Sequence, residues 1–420
     1  MPLMTPMHRQ VLLLACAQAL FQTVSVMVMT VGGLAGAALT SDPRFATAPI
    51  ATMVLGTAAA TVPASLLMAR VGRRPGFILG AMLGGLGGVL GAVGIGWGSL
   101  ALLGTGAFLV GAYQGFAQFY RFAAAEVADA GFRARAIALV LAGGVVAALA
   151  GPELARHGGT WLEPAFMGSF LVLGLLGMLA AGLLLGLRVP DMGVTDGEGP
   201  PPRPLRAIIG QPTYLVALFG AASGYGIMLL CMTATPLAML HHHHGLGDAS
   251  MVIQMHVLGM FLPSFATGSL IARFGVLRIM TAGVGLLAAH VGLTLTGTAF
   301  ASFAGALTLL GVGWNFLYIG GTTLLTSTYA AAEKGRAQAA NDLIIFTVAL
   351  GASLAAGALL DQLGWQAMNI AMLPWLGLTL LAILWLAVRE RRQRQAGAAQ
   401  AATSDDDDIL GDPVPADGRA

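Results

Sequence analysis

Charge is scarce in this chain. Of its 420 residues only 10% are charged and 57% are hydrophobic, where a soluble domain carries about 25% charge. No soluble packing buries that much apolar surface. The composition therefore excludes an ordinary water-soluble domain and points to a polytopic membrane protein surrounded by lipid. Cysteine is nearly missing too. Cys16 and Cys231 both lie in apolar stretches, which excludes a disulfide framework. There is no Walker-type loop, so any transport is expected to be secondary rather than ATP-driven. There is no hydrolase, kinase or redox-enzyme motif either, so neither catalysis nor a resident cofactor is expected. Acidic residues deep inside apolar stretches are lacking: Glu126, Asp129 and Glu153 fall near span ends, and Asp342 near the inner end of span eleven, close to Arg336. That absence weakens a drug/proton antiporter reading. The net charge of +2 gives no ground for a nucleic-acid partner.

What is present is one long apolar run after another. A window of about 20 residues finds twelve candidate spans, at 11–37, 48–69, 76–96, 99–125, 136–155, 164–187, 212–239, 250–272, 277–297, 300–326, 337–359 and 366–388. The N-terminal MPLMTPMHRQ lacks a cleavage-site pattern, so the first run is expected to be retained as a span. The Pro-, Gly- and acid-rich stretch 188–211 reads as a cytoplasmic linker between two six-helix halves, 1–187 and 212–388. The polar segment 389–420, an Arg cluster followed by Asp405–Asp408, reads as a disordered cytoplasmic tail. Eighteen basic residues fall on one side of this arrangement and only Arg44 and Arg156 on the other, with Arg121 at or near the end of span four. The positive-inside rule then puts both termini in the cytoplasm of a multi-pass inner-membrane protein.

A fixed offset runs through the chain. Ala69-Arg70-Val71-Gly72 after span two matches Ala272-Arg273-Phe274-Gly275 after span eight, 203 residues later, and Arg133 matches Arg336 at the same offset. Equivalent loops at one offset imply two parallel six-helix repeats. The loop Ser65 to Arg74 resembles the G-x-x-x-D-R-x-G-R-R signature of the major facilitator superfamily, with Ala69 where the family has Asp. The stretch Gly143–Pro152 resembles that superfamily's span-five Gly-Pro motif. The resemblance implies an all-α fold of 12 transmembrane helices and leaves the substrate open.

Sulfur and imidazole gather in spans seven and eight. Met228 and Met232 are four apart, as are His256 and Met260, so each pair shares a helix face. Cys231 borders the first face. Thioether sulfur is a soft ligand that selects Cu(I) and needs no deprotonation to bind, and neutral imidazole can join it. Methionine is also a flexible filler of apolar cores, so packing explains the same sulfurs. A histidine within a span is rarer and more often functional. The M-x-x-x-M followed by H-x-x-x-M resembles the hallmark of the CcoA-like copper importers, a branch of the same superfamily. That resemblance implies copper import for haem–copper oxidase assembly, with copper as substrate and cytoplasmic copper chaperones as partners. Subtracting the offset from Met232 and His256 gives Met29 and Met53, second-tier candidates to receive the ion. The four outer histidines His241, His242, His243 and His244 suit metal collection or a solvated turn. Two other readings stay open: import of riboflavin or another small aromatic metabolite, using Arg121, Trp314 and Asn315, and a non-transporting copper sensor or assembly factor.

Overall fold

A chain segment in lipid has no water for its N–H and C=O groups, and a helix satisfies them along its own length. The computed structural model describes residues 6–129, 132–189, 203–330 and 333–409, and among these it has helices and no strand. The first half holds α1 (Pro6–Ala38), α2 (Ala48–Val71), α3 (Arg73–Gly96), α4 (Leu100–Ala117), α5 (Tyr120–Val127), α6 (Arg133–Leu141), α7 (Gly143–Gly158) and α8 (Met167–Leu184). After the short α9 (Leu205–Ile209), the second half holds α10 (Pro212–His241), α11 (Leu246–Phe261), α12 (Ser264–Phe274), α13 (Val276–Thr294), α14 (Phe300–Thr326), α15 (Lys334–Ile370) and α16 (Leu373–Ile409). Among the described residues ten helices are long and apolar enough to cross a membrane, or 11 when α11 and α12, bent by 41° around Pro263, count as one span. One of the ten is the 61-residue stretch Arg336–Ala396, which is broken by the non-helical Gly364 and by the turn between α15 and α16.

The sequence offset reappears as geometry. Gly72 joins α2 to α3 at φ 89°, and Gly275 joins α12 to α13 at the same φ. Only glycine takes such a backbone at little cost, so both corners are sharp and alike. The helix crossings repeat as well. A Cβ on Gly111 of α4 would run into the carbonyl oxygen of Met53 on α2, and a Cβ on Gly311 of α14 would run into that of His256 on α11. Small residues at such contacts let backbones approach where lipid gives no hydrophobic drive.

The halves meet at one end and part at the other. Thr47 Oγ1 donates to Ser353 O at 3.2 Å, and Gly357 lies against the carbonyls of Pro43 and Arg44. Toward the end that carries Arg70, Arg73 and Arg74, α2 and α15 separate around a cavity. At that end the residues after the linker are latched to the second half. Arg203 gives Glu333 two side-chain bonds, at 2.8 and 2.7 Å, and its backbone N–H gives a third at 2.8 Å. Residues 190–202 of the expected linker lie outside the described residues. The helix α16 continues to Ile409, through residues assigned by composition to a disordered tail. Ala, Arg and Gln favour helix strongly enough to extend it, and Glu390 lies 3.8 Å from Arg394 one turn on. Residues 410–420 lie outside the described residues.

Two outcomes follow from this packing. Gly111→Val should sharply lower the yield of folded protein and its Tm, because overpacking a tight contact costs about 1–3 kcal/mol or more. Gly182→Ala, with nothing within 4 Å of its added carbon, should leave both unchanged; thermal unfolding in detergent measures the pair. The bonds to Arg203, with that of the Ala330 amide, hold Glu333 down to about 2 from 4.5. A depressed carboxylate pKa gives stability that is complete above the unfolded value and is lost as pH falls through the folded one. The amides of Arg203 and Ala330 should therefore keep their hydrogen-exchange protection at pH 5–7, lose it as pH approaches 2, and lose it at pH 7 in Glu333→Gln.

Candidate functional site

The repeated crossing places two sets of side chains opposite one another. Three and seven residues beyond Gly111 stand Gln114 and Gln118; three and seven residues beyond Gly311 stand Trp314 and Tyr318. All four line one cavity of about 130 Å³ between the halves. Gln18 and Gln22, four apart on α1, line it too, with Tyr225 and Phe261 from the second half. Trp314 and Tyr318 stack at 4.9 Å with an interplanar angle of 11°. Tyr225 meets both of them, at 6.0 and 5.7 Å. The second half thus contributes an aromatic wall and the first half a row of amides.

Several polar groups here lack a partner. Arg121 Nε and Trp314 Nε1 are buried without a hydrogen bond, a costly state for a donor unless a ligand or water answers it. Among the described residues the amides of Gln18, Gln22 and Gln118 are bonded to no protein group, whereas Gln114 is tied to Thr57 Oγ1 at 3.3 Å. Arg121 lies over the Phe122 ring at 4.9 Å. Through Gln118, Arg121 and Tyr318 the site joins a second cavity of about 220 Å³, which extends toward the basic end past Ser65, Gln338 and Asp342. Asp342 accepts from Asn341 at 3.1 Å and shares this second cavity with Arg121 rather than pairing with Arg336. Asn315 is not in either cavity. Its amide donates to Met260 O and Ser264 Oγ, both at 2.7 Å, and its oxygen accepts from Thr267 at 2.6 Å. It is a fully satisfied tie between α14 and the broken α11–α12 span.

The sulfur and imidazole residues lie for the most part in packed cores rather than at the cavity. Met228 and Met232 are buried in the core of the second half, and of the four expected ligands Met260 alone lines the central cavity. His256 is fully buried and uses Nδ1 on Leu307 O at 2.8 Å, leaving Nε2 without a partner. Cys231 turns to α13 and α15, with Sγ 3.5 Å from both His290 Nε2 and Asn369 Oδ1. His290, which the sequence reading passed over, also bonds Ala306 O and Asn369 at 2.8 Å each. Met53 belongs to the core of the first half, and Met29 packs between the halves. Met53 and His256 both sit at a close helix crossing, since the carbonyl of each faces a glycine, Gly111 of α4 or Gly311 of α14. The four consecutive histidines His241–His244 end α10 as a turn. His243 takes a left-handed φ of 64°, and the His244 N–H closes onto Met239 O at 2.9 Å while its ring bonds Thr298 O at 2.7 Å. Among the described residues no three His, Cys, Asp or Glu side chains converge as a metal site.

Comparisons with known proteins bear on what crosses this cavity. The family model of the Major Facilitator Superfamily matches residues 223–414. A protein of Brucella anthropi named riboflavin transporter RfnT is 39% identical over 402 residues, covering 94% of this chain and 99% of that protein. A Bacillus subtilis protein named as MFS-type transporter YdeG is 31% identical over 341 residues, 76% of this chain and 77% of its own. Among solved structures, a bacterial homologue of the human lysosomal transporter Spinster, in an inward-facing and unoccupied conformation, superposes with a TM-score of 0.63 at 17% identity, covering 92% of this chain and 96% of that one. The POT family transporter PepTSo gives 0.69 at 15% identity, covering 92% and 98%. The two structures establish the fold alone.

The expectation of copper import is overturned by the near full-length similarity to a protein named for riboflavin. With it fall the copper ion as substrate and the copper chaperones as partners. The physical reason for the misreading is that a shared helix face does not say what the face meets, and here Met228 and Met232 meet the core. The leucine replacements Met228→Leu and Met232→Leu, nearly equal in volume, should each cost less than about 1.5 kcal/mol and leave transport intact. Thermal unfolding and uptake at matched expression check both halves of that statement.

Proposed function

The chain belongs to the major facilitator superfamily, and from that premise we propose that it imports riboflavin across the inner membrane as a secondary transporter. It is a multi-pass membrane protein. In the proposed topology it has twelve spans, with the stretch 336–396 counted as two and the bent α11–α12 pair as one, and both termini are cytoplasmic because the basic ends of the spans lie inside. The observation that carries the substrate is the cavity itself: a flat stacked wall, Trp314 on Tyr318 at 11°, faces unpaired amide and guanidinium donors across the junction of the halves. Riboflavin offers what such a site needs, a planar three-ring system with a polar edge and a flexible polyol. The name of the 39%-identical relative supports the same reading.

The mechanism is alternating access about that junction. In this state the contacts of Thr47 with Ser353 and of Gly357 with Pro43 and Arg44 close the outer end. The cavity beside Asp342 leads toward the basic end, so the state is the one that releases substrate inward. Arg121 and Asp342 line the same path, and their opposite charges suit an uncharged solute better than a phosphorylated one.

Uptake of radiolabelled riboflavin by cells lacking their own importer tests this. Wild type should accumulate it saturably, and Trp314→Ala should raise the half-saturation concentration roughly 5- to 150-fold, from about 1–3 kcal/mol for one stacked ring. Uptake no greater than in cells with empty vector, at verified membrane expression, would sink the proposal.

A further inference from the structure

We propose that Gln18, Gln22 and Gln118 read the imide edge of the flavin head, so that the transporter selects for a fused pyrimidinedione rather than for the ribityl chain. This rests on the riboflavin reading above. The pyrimidinedione edge runs carbonyl, N3–H, carbonyl: acceptor, donor, acceptor. A primary amide is the uncharged side chain that carries both a good acceptor and two donors, so it answers the N3–H and a flanking carbonyl together. A carboxylate offers acceptors only and repels both carbonyls; a guanidinium offers donors only and leaves the N3–H unmet.

The arrangement fits that chemistry at each point. A ring laid against Trp314 and Tyr318 on the second half presents its edge across the cavity to the first half, where Gln18, Gln22 and Gln118 stand. Among the described residues these three amides have no protein partner and are open to one from a ligand edge, whereas Gln114 is occupied by Thr57. Arg121 Nε, buried and unpartnered, adds one fixed donor for a carbonyl. The carboxylate, Asp342, lines the larger cavity and is absent from the lining of the smaller one. With Gln338 and Asn341 it surrounds space suited to hydroxyl groups, which donate to carboxylates and amides alike. The ligand is thereby oriented, imide edge among the glutamines and polyol toward the basic end.

Proteoliposomes holding the full-length protein, loaded by radiolabelled riboflavin uptake, give the test by competition. The competitors are unlabelled riboflavin, N3-methylriboflavin, which loses the central donor, and lumichrome, which keeps an imide edge but has no ribityl chain. N3-methylriboflavin should inhibit at least about 10-fold more weakly than riboflavin, since a group left without its partner in a closed site is penalised, while lumichrome should inhibit within about 10-fold of riboflavin. In Gln22→Leu and Gln118→Leu the riboflavin affinity should fall and the N3-methyl penalty should shrink toward one. Equal inhibition by riboflavin and its N3-methyl form in wild type, or a penalty that persists unchanged in the leucine variants, overturns the imide assignment and leaves riboflavin transport standing. Absence of saturable riboflavin uptake in wild type overturns the reading on which it rests.

Discussion

A carbonyl oxygen packed against a glycine, on α4 in the first half and on α14 in the second, is the contact on which the site depends. Helices in lipid gain nothing by hiding apolar side chains from one another, so their association rests on close van der Waals approach. Gly111 on Met53 and Gly311 on His256 supply it. Each crossing fixes the rotation of its helix, and the residues three and seven places further on are then turned into the space between the halves. On α4 and its C-cap they are Gln114 and Gln118, on α14 Trp314 and Tyr318. One repeated scaffold delivers hydrogen-bonding groups from one side and an aromatic surface from the other.

That division matters for transport. In the proposed alternating-access cycle, a site whose polar and stacking components sit on different halves is complete only while the halves hold it between them, and rocking takes it apart. Occupancy and conformation are coupled without any separate device, because neither half alone offers a full set of contacts. The broken α11–α12 span sits beside this junction, and Asn315 re-ties it by bonding Met260 O and Ser264 Oγ, the kind of side-chain repair that tolerates a proline within a span.

Much of the architecture was legible in the residues. Apolar runs located the helices, and the Arg70/Arg273 offset marks two loops whose corner glycines, Gly72 and Gly275, share a φ of 89°. The site was legible only in part. Arg121 and Trp314 were singled out and do line the cavity; Asn315 was singled out and does not. Gln18 with Gln22 and Gln114 with Gln118 carried a usable signal, polar pairs four apart inside apolar runs, but the heavier cluster of sulfur and imidazole drew the reading away. Periodicity says that Met228 and Met232 share a face. Only the fold says that the face meets the core, that His256 spends Nδ1 on Leu307 O, and that Cys231 turns to His290 and Asn369.

The latch of Arg203 on Glu333 has a partner at the far end of the connection, where the Arg188 N–H bonds Gln10 Oε1 at 2.7 Å. Both ends of the strap between the halves are therefore moored, one to each half. Between the moorings lie residues 189–202, which at about 3.3–3.6 Å each reach no further than about 50 Å. That length is an upper bound on the distance between the moorings at Arg188 and Arg203. Any larger excursion must first cast off the Glu333 mooring.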